Sequence, residues 1–442
     1  MRKFILLTSD LLAILSAFVL SLLIRFQGLY NVERNQWPTL AVLLIIYPII
    51  LYFFDLYHPF IFVKRIKLFF TLVKTFTILI AIYVFAGFIF KFYFLIASRS
   101  FIILFFALLF FCHFVFRMII VPRLIHRFFR NPGRRPICLF IGPREKFRQI
   151  RKFCDTNSLI GFNLIYESDR KEKLPAVKYY LLYSLAEDFS VIYKEIRDHI
   201  KSGYTLFVIS SLFNELNINQ EWCEFDDMPV YTFSCRTNQK LRDAVRRMID
   251  IAGSLCLLVV LLPVFLVIAI AIKIDSPGPV IYKQKRCGKD GKLFTFYKFR
   301  SMFEHERKDE MREVEFKGYI EQKTTKGKVI NHKDITNIGR VIRKTSIDEL
   351  PQFFNVLKGE MSLIGPRPPI LYEVKYYKNW HKDRLSIKPG MSGLWQIYGR
   401  GNMPCDSSIF LDLMYVINRS ITLDIRLIFQ TIPAVVFGKG AY

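Results

Sequence analysis

Two adjacent carboxylates, Asp348 and Glu349, follow the basic stretch Arg340-Val-Ile-Arg-Lys344 and precede Leu350-Pro-Gln352. A carboxylate can attack phosphorus as a covalent nucleophile, splitting one hard displacement into two. A neighbouring carboxylate can hold magnesium, which binds through one or two such groups together with substrate phosphates. A phosphate-bearing substrate also needs cations. The sequence offers Lys298, Arg300, Arg340, Arg343 and Arg367, and arginine suits the task because its planar fork pairs bidentately with phosphate. A structural role competes for the acids, since Ser346-Ile-Asp-Glu349 fits a capping box and acids in a first turn complement the helix dipole. Successive helical residues diverge by about 100°, so the two acids are expected to divide labour rather than aim at one atom.

The elements that must position these groups begin at a membrane. Of 442 residues 52% are apolar, 44 of them Phe, too greasy for a purely soluble protein. Apolar runs at 11–24, 38–54, 68–90 and 100–116 each approach, with their flanks, the roughly 20 residues that span a bilayer. The first is too long, and too poorly flanked by a cleavage site, for a removable signal peptide. Arg2 and Lys3, then Lys64, Arg65 and Lys67, then Arg117, Arg123, Arg127, Arg130, Arg134 and Arg135 mark cytoplasmic flanks. The other two loops offer mainly Arg34, Lys91 and Arg99. Both ends of a four-helix unit are therefore expected on the cytoplasmic side. Asp10 and Lys74 sit at or within spans and are read as snorkelling or helix-pairing groups. The net charge of +26 fits a lipid surface and a phosphorylated substrate; no nucleic-acid module is present, so no nucleic-acid partner is expected. The eight cysteines contain no C-x-x-C pair, which fits a reduced compartment. The histidines show no metal-ligand spacing.

Past the linker, 136–142 reads as a buried strand, 143–155 as a helix, 161–166 as a strand, 185–201 as a helix, and 205–210 and 229–233 as strands. Strands alternating with helices imply a small parallel α/β domain. Gly142 is the one glycine left of a dinucleotide fingerprint, so a structural, oligomerising or regulatory role is expected ahead of a bound cofactor.

A fifth apolar run, 251–272, is long enough to cross the bilayer. Arg242, Arg246 and Arg247 precede it, while Lys273, Lys283, Lys285 and Arg286 follow. Both flanks thus carry the cytoplasmic signature. Pro263 at its middle removes a backbone hydrogen bond and favours a kink. A helix that enters, bends at Pro263 and returns to the same face satisfies both facts.

The ordered set Arg246-Arg-Met-Ile-Asp250, Ser276-Pro-Gly-Pro-Val280, Phe296-Tyr-Lys-Phe-Arg-Ser-Met302, Asp348-Glu-Leu-Pro-Gln352, Asn355 to Pro368 with its Gly365-Pro-Arg-Pro, and Lys388-Pro-Gly-Met-Ser-Gly393 resembles the bacterial sugar transferases known as monotopic phosphoglycosyl transferases. The added helical and α/β units make the layout similar to the large subgroup, the undecaprenyl-phosphate hexose-1-phosphate transferases. The resemblance implies Asp348 as nucleophile and Glu349 as ligand to Mg2+. It also implies a UDP-sugar donor (glucose or galactose), undecaprenyl phosphate as acceptor, UMP as leaving group, and a first step in exopolysaccharide, capsule or O-antigen synthesis. The site then faces the cytoplasm at the bacterial inner membrane. Two departures stand out: Asp334 precedes Ile335-Thr336 where the family commonly has Arg, and 303–332 is a charged insertion read as a solvated loop.

The expected architecture is a membrane protein of mixed α and α/β class. It comprises a four-helix transmembrane unit (1–122), a basic linker (123–135), a small Rossmann-like α/β domain (136–240), and a monotopic catalytic domain (241–442) with a re-entrant helix at 251–272. A homodimer through the membrane or middle domain fits this layout. The closing run 409–437 is read either as an interfacial amphipathic helix or as a packing helix. Two rivals remain: a glycosyltransferase that releases UDP, and a non-catalytic membrane scaffold, against which the Asp348-Glu349 pair and Arg367 argue.

Overall fold

A computed structural model describes residues 2–26, 36–54, 56–57, 65–90, 99–131, 133, 135–156, 162–169, 177–200, 204–216, 224–225, 228–234, 239–303, 309–321, 335–399 and 403–436. Arg34, Lys91, Arg134, Asp334 and much of the 303–332 insertion lie outside the described residues. The chain divides into two compact units, Met1–Tyr179 with Gln220–Val230, and Tyr180–Asn219 with Tyr231–Tyr442.

In the first unit the apolar runs form α1 (Arg2–Phe26), α2 (Gln36–Phe53), α3 (Arg65–Phe90) and α4 (Arg99–Val115). A π-helical turn, Phe116–Ile120, carries α4 into α5 (Val121–Phe129). Phe4–Arg25, Leu68–Ala86 and Ser100–Phe129 are long and apolar enough to cross a membrane. The helix α2 is shorter: its 18 residues reach about 27 Å at 1.5 Å per residue, less than the ~30 Å hydrocarbon core. Ala13 and Ala17 of α1 are fully buried, and Phe18 meets Phe101 and Phe105 edge-on, with centroids 6.1 Å apart in each case.

Asp10 is fully buried. It accepts from Arg117 Nε at 2.8 Å, Arg117 Nη2 at 2.6 Å and Tyr57 Oη at 2.7 Å. Of the two roles considered for Asp10, helix pairing is the one found. Arg117 is correspondingly a bundle residue rather than a flanking surface charge.

The middle stretch contributes β1 (Ile137–Ile141), α6 (Arg144–Thr156) and β2 (Asn163–Tyr166) to this unit, with β1 and β2 parallel. β3 (Tyr179–Tyr183), α7 (Phe189–His199) and β4 (Thr205–Ile209) follow; Asp188 caps α7 by accepting from Ser190 N at 2.9 Å. β5 (Glu224–Phe225) and β6 (Met228–Ser234) pair antiparallel. The arrangement is thus mixed rather than wholly parallel, and β3 was not foreseen.

In the second unit α8 (Gln239–Val260) and α9 (Leu262–Asp275) meet at a bend of 61°. Pro263 falls in the first turn of α9, where its missing N–H costs nothing. The start of α8 is bolted down: Arg246 donates to Asp424 at 2.6 Å, Arg247 donates to the carbonyls of Val356 and Leu357 at 2.6 Å each, and Asp250 accepts from Ser362 Oγ and Leu363 N. A hairpin follows, β7 (Ile281–Cys287) and β8 (Leu293–Phe299).

Next comes α10 (Asp309–Ile320), which corrects the reading of the insertion as a solvated loop. Its Phe316 and Tyr319 are buried, and Tyr319 Oη donates to Met403 O at 2.9 Å. Then come α11 (Asn337–Lys344), a 3-10 turn at Ile347–Glu349, α12 (Gln352–Lys358), β9 (Ser362–Ile364), α13 (Leu371–Lys375), a 3-10 stretch at Asn379–Ser386, β10 (Gly390–Ser392), α14 (Leu394–Tyr398), α15 (Cys405–Asn418) and α16 (Ile421–Val436). The helix α15 is buried along nearly all its described length, so this part of the closing run is a packing helix. Small apolar cores join α9, β8 and α11 through Ile272, Phe299 and Ile342, and β9, α15 and α16 through Ile364, Tyr415 and Leu427.

Candidate active site

The acids sit where α11 ends and α12 has not begun. Thr336 caps α11 by accepting from Gly339 N at 2.9 Å. At Gly339 a Cβ would stand 2.0 Å from Ser301 O, so only glycine lets this helix lie against the strand end after β8. Ser346 then turns the chain with φ +55°, a left-handed conformation that costs a non-glycine residue about 1 kcal/mol or more. The reversal delivers Ile347–Glu349 as a 3-10 turn. Ser346 makes no side-chain cap hydrogen bond, so the capping box does not form. The Glu349 carboxylate is instead taken by β8: Lys298 Nζ stands 2.6 Å from Glu349 Oε1 and 3.5 Å from Asp348 Oδ2. Both acids therefore reach one cation, contrary to the divergence expected of a regular helix, because the turn is short and β8 faces it.

Their electrostatics differ. Asp348 is buried, and desolvation raises its carboxyl above the ordinary value against the pull of Lys298 and with the push of Glu349. Burial also acts against the Glu349 charge, but Lys298, then Arg367 and Gln352, outweigh it and hold this carboxyl below its ordinary value.

The remaining expected cations are distributed unevenly. Arg343, in the last turn of α11, is near enough to favour the Asp348 charge, and Arg367 that of Glu349. Arg340 is exposed on α11. Arg300 is buried and spent on the chain leaving α9, donating to Pro277 O and Ser276 O at 2.6 Å each. Arg367 lies 5.7 Å from the Trp395 ring and 3.9 Å from Glu373. Asn355 is fully buried and ties α12 to β8, donating to Thr295 O at 2.6 Å and accepting from Tyr297 N at 3.2 Å.

The glycines of the two flanking motifs serve close approach. A Cβ on Gly390 would stand 2.0 Å from Gly365 N, and Gly390 N donates to Pro366 O at 2.8 Å. That contact sets Arg367 beside the acids.

Two residues were not foreseen. Asp412 on α15 accepts from Arg384, and Arg384 donates to Arg367 O at 3.0 Å. Burial pushes the Asp412 carboxyl up to about 6, against the pull of Arg384 and Arg367. Nothing in local spacing marks the pair, since they act on a peptide bond far away in sequence.

Two carboxylates and three nearby cations are thus brought together, a set of groups able to support phosphoryl chemistry. The bacterial sugar transferase family matches residues 241–438. Galactosyl transferase CpsE of Streptococcus agalactiae serotype III (strain NEM316) is 39% identical over 241 residues, 51% of this chain and 52% of that protein. The UDP-glucose:undecaprenyl-phosphate glucose-1-phosphate transferase of Klebsiella pneumoniae is 37% identical over 238 residues, 52% of this chain and 48% of that protein. The exopolysaccharide production protein ExoY of Rhizobium meliloti (strain 1021) is 37% identical over 201 residues, covering 45% of this chain but 88% of ExoY. The chain belongs to the bacterial sugar transferase family. It spans about half the length of CpsE and of the Klebsiella transferase.

Proposed function

We propose that the protein transfers hexose 1-phosphate from a UDP-sugar, UDP-glucose or UDP-galactose, to undecaprenyl phosphate, opening the synthesis of a surface polysaccharide. The observation that carries this reading is the convergence of Asp348 and Glu349 on Lys298 beside Arg343 and Arg367; the names of the Klebsiella and ExoY relatives support the substrates and the polymer class. An Asp348 oxygen attacks the β-phosphorus, the bond to the bridging oxygen breaks, and UMP leaves with that oxygen and its electron pair. The product is a phosphosugar-aspartyl enzyme. An oxygen of undecaprenyl phosphate then attacks the same phosphorus and Asp348 leaves as carboxylate. Lys298, Arg343 and Arg367 neutralise the phosphate oxygens. The donor set suits Mg2+: two carboxylates on one short turn with solvent access at Glu349, which would hold the ion while Asp348 stays free for attack. Bound there, Mg2+ supplies further charge neutralisation on the diphosphate.

The basic flanks and the 61° bend at Leu261, just before Pro263, support a re-entrant hairpin, with the site at the cytoplasmic face of the inner membrane. Full-length protein with Mg2+, UDP-hexose and polyprenyl phosphate should release UMP. Release of UDP would contradict the reading in favour of glycosyl transfer, and no nucleotide release with any UDP-sugar would favour the scaffold.

A further inference from the structure

Arg367 is held by its backbone, and the elements that hold it are themselves held by the middle α/β segment. The side chain of Arg384, in the 3-10 stretch, is buried. It donates to Tyr377 Oη at 2.9 Å, to Arg367 O at 3.0 Å and to Asp412. One buried ion pair, Arg384 with Asp412, thus engages the carbonyl of the Arg367 main chain. The 3-10 stretch is also fastened to the start of α15, where Asp406 accepts from Lys378 Nζ at 2.8 Å.

The same two elements carry the contact with α7 and the 3-10 turn Ser211–Leu216. Phe410, two residues before Asp412, is buried between Phe189 and Phe213, with centroids at 5.0 and 5.8 Å. Asp383, next to Arg384, accepts from Tyr193 Oη and Arg197 Nη1 at 2.8 Å each. Arg197 is 65% exposed, and such surface ion pairs hold little. The aromatic contact is the fastening that matters.

We propose that Arg384 and Asp412 are positioning residues for Arg367, and that the α7 segment is a brace which keeps their two elements in register. This rests on the reading of Arg367 as a ligand of the substrate diphosphate. It gives the middle segment a part in turnover without a bound nucleotide of its own.

The test is a set of double-mutant comparisons on the full chain in detergent or vesicles, reading kcat and KM for UDP-sugar from UMP release. Arg384→Lys, Asp412→Asn and Phe189→Leu are the conservative choices, and the thermal midpoint of each is measured so that loss of fold is separated from loss of turnover. Each is expected to lower kcat/KM by about ten- to a hundredfold, the range a small misplacement costs, and to lower it no further once Arg367→Ala is present. A merely structural role would instead add its loss in that background. Additive losses, or no loss from any of the three, would overturn the brace while leaving Arg367 as a ligand. An Arg367→Ala enzyme with undiminished turnover would overturn the ligand assignment and the brace together.

Discussion

Asp348 and Glu349 are neighbours in sequence, yet burial and Lys298 push their carboxyls in opposite directions, the pattern that separates roles in paired-acid sites. Only the ionised Asp348 can attack. The kcat/KM should therefore fall as pH drops through a value above the ordinary ~3.9 of an aspartate, and a limb of the kcat/KM profile at or below that ordinary value would contradict the burial argument. The stability sign is the reverse. The folded chain binds this proton more tightly than the unfolded chain, so its contribution is present at low pH and lost as pH rises from the unfolded value through the raised one. Asp348→Asn should accordingly not lower the thermal midpoint at neutral pH. The acids and Lys298 were legible from residue type, order and resemblance. Arg384 and Asp412 were not, because what they grip is the Arg367 main chain, which leaves no pattern near either residue.

At the scale of elements, the site depends on backbones brought closer than side chains allow. β9 and β10 meet through Gly365 and Gly390, and Arg367 follows directly from that junction. Gly390→Ala should cost about 1–3 kcal/mol of stability by overpacking and most of the turnover, whereas an active, equally stable variant would show that the junction does not place Arg367. The glycine-bearing motifs were visible in sequence, but which pair would touch was not. The alternation of strands and helices at 136–240 was readable for the same reason that β3 was missed: β1 and β4 are unbroken apolar runs, while Tyr179-Tyr-Leu-Leu-Tyr183 follows a lysine-rich stretch that hid it. The helix α10 escaped notice because its buried Phe316, Tyr319 and Ile320 are embedded among charges.

For the whole molecule, hydropathy located the apolar helices, three of which are long and apolar enough to cross a membrane, and the basic flanks argued for a hairpin rather than a fifth span. Hydropathy could not show that Asp10 and Arg117, which look like boundary charges, close on each other inside the bundle with both side chains fully buried. The hairpin yields a topological prediction. Ile274, 82% exposed at the end of α9, when replaced by cysteine should react with a membrane-impermeant thiol reagent only from the cytoplasmic side; reaction from outside would mean that α8 and α9 cross the bilayer and that the acids face away from cytoplasmic nucleotide sugars.

The central claim is that Asp348 carries the phosphosugar between donor and acceptor. Protein incubated with UDP-hexose labelled at the β-phosphate, without acceptor, should become labelled, lose the label on addition of polyprenyl phosphate, and remain unlabelled when Asp348 is replaced by Asn. Label that persists in Asp348→Asn, or that never forms in a wild-type enzyme turning over normally, would contradict the account.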